Sequence, residues 1–422
     1  MGKAGAEAVG VEQGRRSIHA FLRERREQQT RFLAALVGVP SDNPPGDCQP
    51  IADAAARLLE GLGLEVERHA VPHDRVTANG MISATNLVVR HRFGPGPTIA
   101  LNSHGDVVPP GAGWTHPPYA AAIVDGVMYG RGVAVSKSDF ATYTYALLAL
   151  QQSGLPLAGA VELHFTFDEE AGGLIGPGYL IEQNISKPDF VISAGFAYGI
   201  VTAHNGCLHL EVEIAGRSAH AAIPSSGADA LEAATGVLAQ LYSLRRGLAQ
   251  TTSKTAGIGS SQLTVGLISG GINTNVVPDR VVFRLDRRII PEEVPSIVER
   301  DLRQRIETAA ATYEGIRCNV RRILLAQPFT PAPGQDRLVA AIQTHANRIM
   351  GASVEPHGVP IYTDARLYSS AGIPTVLYGA GPRTLLEANG HRADERLVLE
   401  DLYNATEVVA VALADLLGPE TR

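Results

Sequence analysis

The chain has 422 residues, 45% of them hydrophobic and 19% charged, a balance that excludes a disordered or fibrous protein. Its 36 basic and 43 acidic residues give a formal net charge of -7, which argues against a nucleic-acid-binding surface. The length favours two domains, and no apolar run is long enough to span a bilayer.

The opening stretch MGKAGAEAVGVEQGRRSIHAFLRERREQQ lacks the apolar core of a signal peptide. Met1-Gly2 is superficially like a myristoylation start, but Ala6 stands where Ser or Thr is expected. Apolar residues at helical spacing from Ser17 to Val37 predict a helix, which VPSDNPPGD stops with its prolines. IADAAARLLEGLG predicts a second helix ending on glycine, and LEVERHAV alternates as a strand does. PTIALNSH, AVELHFTF, PDFVIS and PTVLYGA are short apolar runs bounded by turn residues, expected as buried strands of a largely parallel sheet. SDFATYTYALLALQQSG is the clearest helix among them. Cys48, Cys207 and Cys318 match no zinc or redox spacing. They read as small buried apolar groups in a reduced, cytoplasmic compartment.

Between Asn205 and Phe329 the pattern changes. Strand LHLEVEIAG, helix DALEAATGVLAQLYSLRRGL, strands SQLTVGLISGG and NVVPDRVVFRLDRRI, helix EEVPSIVERDLRQRIETAAATY and strand IRCNVRRILL follow in order. This βαββαβ order predicts a ferredoxin-like α+β domain, residues 205–329, inserted into a large α/β domain made of 1–204 and 330–422.

Ligands of open α/β sheets gather beyond the carboxyl ends of the strands. There PTIALNSHGD delivers His104 and Asp106, HFTFDEE delivers Glu169 and Glu170, and the late loop EANGHRADE adds His391. Singly, a histidine at a strand end reads as a core or surface group, and a Glu-Glu pair as charge at a helix N-terminus. Together on one sheet they read as a metal site. His104 needs an acceptor to orient it, and Asp106, two residues on, shares its strand face. At a strand-to-loop corner one glutamate can ligate while its neighbour moves the proton of water, the division that metal-assisted hydrolysis requires.

The chain resembles the metallohydrolases that include aminoacylase, acetylornithine deacetylase, succinyl-diaminopimelate desuccinylase and glutamate carboxypeptidase. The resemblance runs through HGDVVP, GWTHPPYAAAIVDGVMYGRG, FDEEAGG, GRSAHAAIPSSGADAL, NTNVVPD, LDRR, YTDARLY, GIPTVLYGAG and HRADE, nearly the whole chain. It implies a zinc-peptidase-like α/β domain and a small domain that serves in dimerisation. It further implies His104, Glu170 and His391 as metal ligands, Asp106 as the carboxylate orienting His104, and Glu169 as general base. His220 matches a residue that reaches a neighbouring subunit's site and stabilises the oxyanion. Asn275, Arg288 and, less directly aligned, Arg366 match groups that engage an anionic substrate. A divalent transition metal, manganese or zinc, and a homodimer or higher homo-oligomer acting on a small anionic substrate follow from the same resemblance. Neither a nucleic acid nor a membrane is an expected partner.

Two of the family's ligands are missing. In GRGVAVSKSD the bridging aspartate falls on Val135, and after PDFVIS the expected acid falls on Gly195. Two cations about 3.5–4 Å apart need anionic ligands between them. The expectation is therefore one ion per subunit, held by His104, Glu170 and His391, with Ser136, Ser138 or Asp139 as substitute ligands. Asp139 also reads as a helix N-cap before FATYTYALLAL. The reaction expected is hydrolysis of a carbon–nitrogen bond. The alternatives are release of ammonia from an aromatic amine, as in the divergent member 5-nitroanthranilate aminohydrolase, and a binding relative without activity.

Overall fold

Helix α1 spans Lys3–Val37, beginning earlier than its apolar positions predict. The added turns, KAGAEAVGVEQGRR, are rich in strong helix formers that need no core to favour the helix. The structure, a computed structural model, describes residues 3–418, with side chains from Gly10 onward. The Met1-Gly2 start lies outside the described residues. Helix α2 (Gln49–Gly61) buries Ile51, Ala52, Ala55, Ala56 and Leu59, one face of a 3.6-residue repeat. There follow β1 (Glu67–Ala70), α3 (His73–Ala78), β2 (Thr85–Arg92), β3 (Thr98–His104) and the hairpin β4 (Ala122–Val124) and β5 (Val127–Tyr129). Then come α4 (Lys137–Gln151), β6 (Ala160–Thr166), α5 (Pro177–Glu182), β7 (Phe190–Ser193) and β8 (Ile200–His204).

The next segment is β9 (Gly206–Ala215), α6 (Ala230–Leu248), β10 (Gln262–Gly270), β11 (Arg280–Ile289), α7 (Pro295–Ala310) and β12 (Arg317–Ala326). The chain closes with α8 (Gln335–Ile349), β13 (Pro356–Val359), α9 (Ala365–Ser370), β14 (Thr375–Leu377), β15 (Arg396–Val398) and α10 (Leu399–Leu417). Two units result. The larger comprises the chain up to Thr202, Pro331–His357 and the chain from Thr363; the smaller comprises Ala203–Thr330 and Gly358–Tyr362. The segment Gly358–Tyr362, placed by the sequence in the large domain, groups with the small unit, where Gly358 N–H donates to Ala256 at 2.7 Å.

In the larger unit the sheet order is β1-β2-β6-β3-β7-β14-β8-β13. Its centre, β6-β3-β7-β14, is parallel, while β1–β2, β2–β6 and β14–β8 are antiparallel. The sheet is therefore mixed, where the apolar runs alone suggest a largely parallel one. All seven residues of β6 are buried, as an interior strand covered on both faces requires. Helix α4 is buried on every side, and Phe140 stacks on Phe165 of β6 at 3.9 Å between ring centres. The parallel register pairs His104 with Thr166, so the loops after β3 and β6 leave the sheet side by side.

In the smaller unit the sheet order β10-β11-β9-β12 is antiparallel throughout, and the chain order is βαββαβ. Leu208, Leu210, Val212 and Ile214 of β9 and Val281, Phe283 and Leu285 of β11 alternate into one core with α6 and α7. No described helix is long and apolar enough to cross a membrane.

Candidate metal and catalytic site

In the larger unit Asp106 is the hub. Its fully buried carboxylate accepts Asn43 Nδ2 at 2.9 Å and the backbone N–H groups of Glu169 and Glu170 at 3.1 Å each. It thereby fixes the single turn Glu169–Ala171 that follows β6. His104 Nδ1 lies 3.0 Å from the Asp106 carbonyl and 3.3 Å from its carboxylate, which leaves Nε2 as the free ligating nitrogen. Nε2 stands 3.9 Å from Glu169 Oε2. His391, in the left-handed backbone region at φ 61°, places Nε2 3.4 Å from Glu170 Oε1.

These four side chains meet as two His–Glu pairs. His104, Glu170 and His391 do not bring three ligand atoms within 4.8 Å of one another; among the described residues, the His, Cys, Asp or Glu group that does is Cys207, His209 and Asp286. The reason is local: each imidazole faces a different member of the Glu169–Glu170 pair. His391 is the more exposed partner, with 54% of its side chain accessible against 7% for His104.

The substitute ligands have other occupations. The Ser136 hydroxyl exchanges hydrogen bonds with Ser103 Oγ at 2.9 Å and with the His104 backbone, carbonyl at 3.0 Å and N–H at 3.2 Å. Ser138 Oγ points back to the Ala134 carbonyl at 3.5 Å. Asp139 does not cap its helix: the N-cap is Ser136, and the buried Asp139 carboxylate accepts Ala380 N–H at 2.7 Å and Gly195 N–H at 3.2 Å. Burial pushes it up to about 7, against those two hydrogen bonds. Val135 packs against the core. Gly195 has no room for a side chain, since a Cβ there would meet Tyr378 N at 2.6 Å and the Leu377 carbonyl carbon at 2.7 Å.

Asp364, in YTDAR, carries a signal the sequence reading passed over in favour of Arg366. It is 4% exposed, and its Oδ2 has no hydrogen-bond partner among the described residues. Burial first, then the charges of Glu169 and Asp168, raise its carboxyl well above the ordinary range. Arg366, expected to face an anion, is itself buried and donates through Nη2 to the Gly172 carbonyl. Its charge lowers Asp168 and Asp364, so it acts as an internal counter-charge. Glu169 is pushed up to about 8 by burial, with Glu170 and Asp106 adding to the push and His104 opposing it. Asp106, Asp168, Glu169, Glu170 and Asp364 thus crowd around few positive groups, and two buried oxygens among them, Asp168 Oδ1 and Asp364 Oδ2, lack a hydrogen-bond partner among the described residues. That donor set fits a divalent cation, whose charge would relieve the crowding.

The loop of His391 is anchored by Glu395, whose carboxylate accepts Arg131 Nη1 at 2.7 Å, Ala134 N–H at 3.0 Å, and Gly132 and Val135 N–H at 3.1 Å each.

The other expected residues lie in the smaller unit. His220 is exposed and its Nδ1 accepts Ala222 N–H at 3.1 Å. It bridges to Val276, beside the exposed Asn275, whose carbonyl accepts Ala221 N–H at 3.0 Å. Arg288 donates through Nε to Asp286 Oδ1 at 3.0 Å and lies over the Tyr362 ring. Cys207, read from the sequence as an apolar filler, has Sγ 3.2 Å from His209 Nε2.

A family model, Peptidase family M20/M25/M40, matches residues 100–415. The succinyl-diaminopimelate desuccinylase of Gluconacetobacter diazotrophicus is 28% identical over 394 residues, 91% of this chain and 95% of its own. Human carnosine dipeptidase 1 superposes with a TM-score of 0.74 at 16% identity, covering 96% of this chain and 98% of that one. The YXEP protein of Bacillus subtilis, a dinuclear metal-binding peptidase, superposes at 0.64 with 17% identity, covering 94% of this chain and 99% of its own. The family match and the desuccinylase relative support a metal-dependent hydrolase of peptide or amide bonds. The chain belongs to Peptidase family M20/M25/M40.

Proposed function

We propose that this enzyme hydrolyses the carbon–nitrogen bond of a small, carboxylate-bearing substrate at a site holding one divalent ion per chain. The observation that carries the single-ion reading is the pair of lost carboxylates: the partly buried Val135 packs against the core and Gly195 has backbone where a side chain would be. His104, Glu170 and the exposed His391 would hold the ion, manganese or zinc. When bound, the ion supplies a Lewis acid that polarises the scissile carbonyl. Glu169 takes the proton of the attacking water and returns it to the leaving nitrogen. Asp106 keeps His104 oriented and the Glu169 turn fixed. His220 stabilises the oxyanion in a partner subunit's site, and Asn275 and Arg288 engage the substrate carboxylate. The edge strand β10, with Leu267 and Ile268 61% and 55% exposed, supports assembly into a homodimer through the smaller unit.

The test is product analysis across N-acyl amino acids, dipeptides and aminobenzoates, together with counting of bound manganese. Free amino acid from an amide and one tightly bound manganese per chain are the expected results. Ammonia from an aminobenzoate would move the reading to arylamine hydrolysis, and two tightly bound manganese ions would overturn the single-ion site.

A further inference from the structure

We infer that Cys207, His209 and Asp286 form a second metal site, for a thiophilic divalent ion such as zinc, within the smaller unit. Cys207 and His209 are two apart on β9 and so share a face. The antiparallel register sets Asp286 of β11 opposite His209, and Arg288 opposite Cys207. This face is opposite the one that buries Leu208 and Leu210 in the core. The three ligand atoms form a compact triangle: Sγ to Nε2 3.2 Å, Sγ to Asp286 Oδ2 3.3 Å, and Nε2 to Oδ2 2.8 Å. A tetrahedral zinc ion with bonds of about 2.0–2.3 Å separates its ligands by roughly 3.3–3.7 Å, so the triangle needs to open by only a few tenths of an ångström.

The arrangement is not a proton relay. In a Cys–His–Asp relay, thiol and carboxylate take opposite nitrogens of the ring, whereas here both meet Nε2. Convergence of three different donor atoms on one point is what coordination requires. Arg288 Nε holds Asp286 Oδ1 at 3.0 Å, which orients the carboxylate and turns Oδ2 toward sulfur and nitrogen. Sulfur and imidazole donors select zinc or cobalt over magnesium or calcium, and a thiolate with a carboxylate neutralises a divalent charge. The inference stands apart from the proposed reaction, because His104, Glu170 and His391 include no sulfur.

Titration of the full-length, chelator-treated protein with cobalt(II) tests it. The expected result is a near-ultraviolet sulfur-to-cobalt charge-transfer band that saturates by two equivalents, because the His104, Glu170 and His391 site takes cobalt as well, and that is displaced by zinc. The band should persist in Cys318→Ser and in His391→Asn, disappear in Cys207→Ser, and need at least tenfold more cobalt in Asp286→Asn. Circular dichroism checks that each variant is folded; should Cys207→Ser fail to fold, Asp286→Asn decides. No band in the wild-type protein, a band that survives Cys207→Ser, or unchanged cobalt affinity in Asp286→Asn would each overturn the site.

Discussion

Asp139 accepts the backbone N–H of Gly195 at 3.2 Å, so the acid on α4 is bonded to the position where the family's second acid is missing. Its other oxygen takes Ala380 N–H at 2.7 Å, and together the two bonds pin the ends of β7 and β14 to the helix. The carboxylate is a structural clamp in this geometry. Asp139→Asn presents an amide donor to one of two N–H groups and should cost about 1–3 kcal/mol. Denaturant titration reads that loss, while manganese content should be unchanged; loss of metal at full stability would identify Asp139 as a ligand instead.

Restoring the family's acids should not rebuild a two-ion centre. A Cβ at 195 stands 2.6 Å from Tyr378 N and 2.7 Å from the Leu377 carbonyl carbon, both backbone atoms that cannot swing aside. The double variant Val135→Asp, Gly195→Asp should melt lower than the wild type and still bind one manganese, as calorimetry and elemental analysis would show.

Glu169→Gln keeps the shape of the side chain and removes its proton-accepting capacity. kcat should fall by about 10²–10⁴ with little change in bound manganese. Retained activity would exclude Glu169 as the proton carrier.

Glu395 and Arg131 are each 1% exposed and paired at 2.7 Å. Glu395→Ala leaves a buried guanidinium and three N–H groups uncompensated, and should destabilise by about 3–5 kcal/mol. The same change should lower metal affinity, since Glu395 ties the His391 loop to the Gly132–Val135 turn.

Glu162 supplies a pH-dependent contribution away from the metal site. Against the upward push of burial, hydrogen bonds and charge from His164, Ser186 and Arg90 lower it from 4.5 to about 2. A carboxyl whose folded pKa is depressed stabilises fully above its unfolded value and loses that contribution as pH falls through the folded one. The stability gap between wild type and Glu162→Gln should therefore be greatest above pH 4.5, on the order of 3 kcal/mol, and shrink toward pH 2. Urea titrations at pH 6 and pH 3 measure it.

Sequence alone carried the pieces whose information is local. Apolar runs bounded by turns gave β3, β6 and β7 because an interior strand must be apolar on both faces, and the βαββαβ order of the inserted segment gave β9 and β11 because that order closes a core of its own. The motifs HGD and FDEE delivered His104, Asp106, Glu169 and Glu170 to adjacent strand ends, since a strand end is where such a chain turns. What joins far-separated residues was left to tertiary structure. No spacing reveals that Asp139 serves Gly195, that Asp364 lies buried near Glu169, or that Arg366 is enclosed. Nor does any motif show that Asp286 meets a cysteine 79 residues earlier and a histidine 77 residues earlier. Those relationships arise from β-strand register and from burial, where carboxylates and N–H groups shut away from water must find partners wherever the fold supplies them.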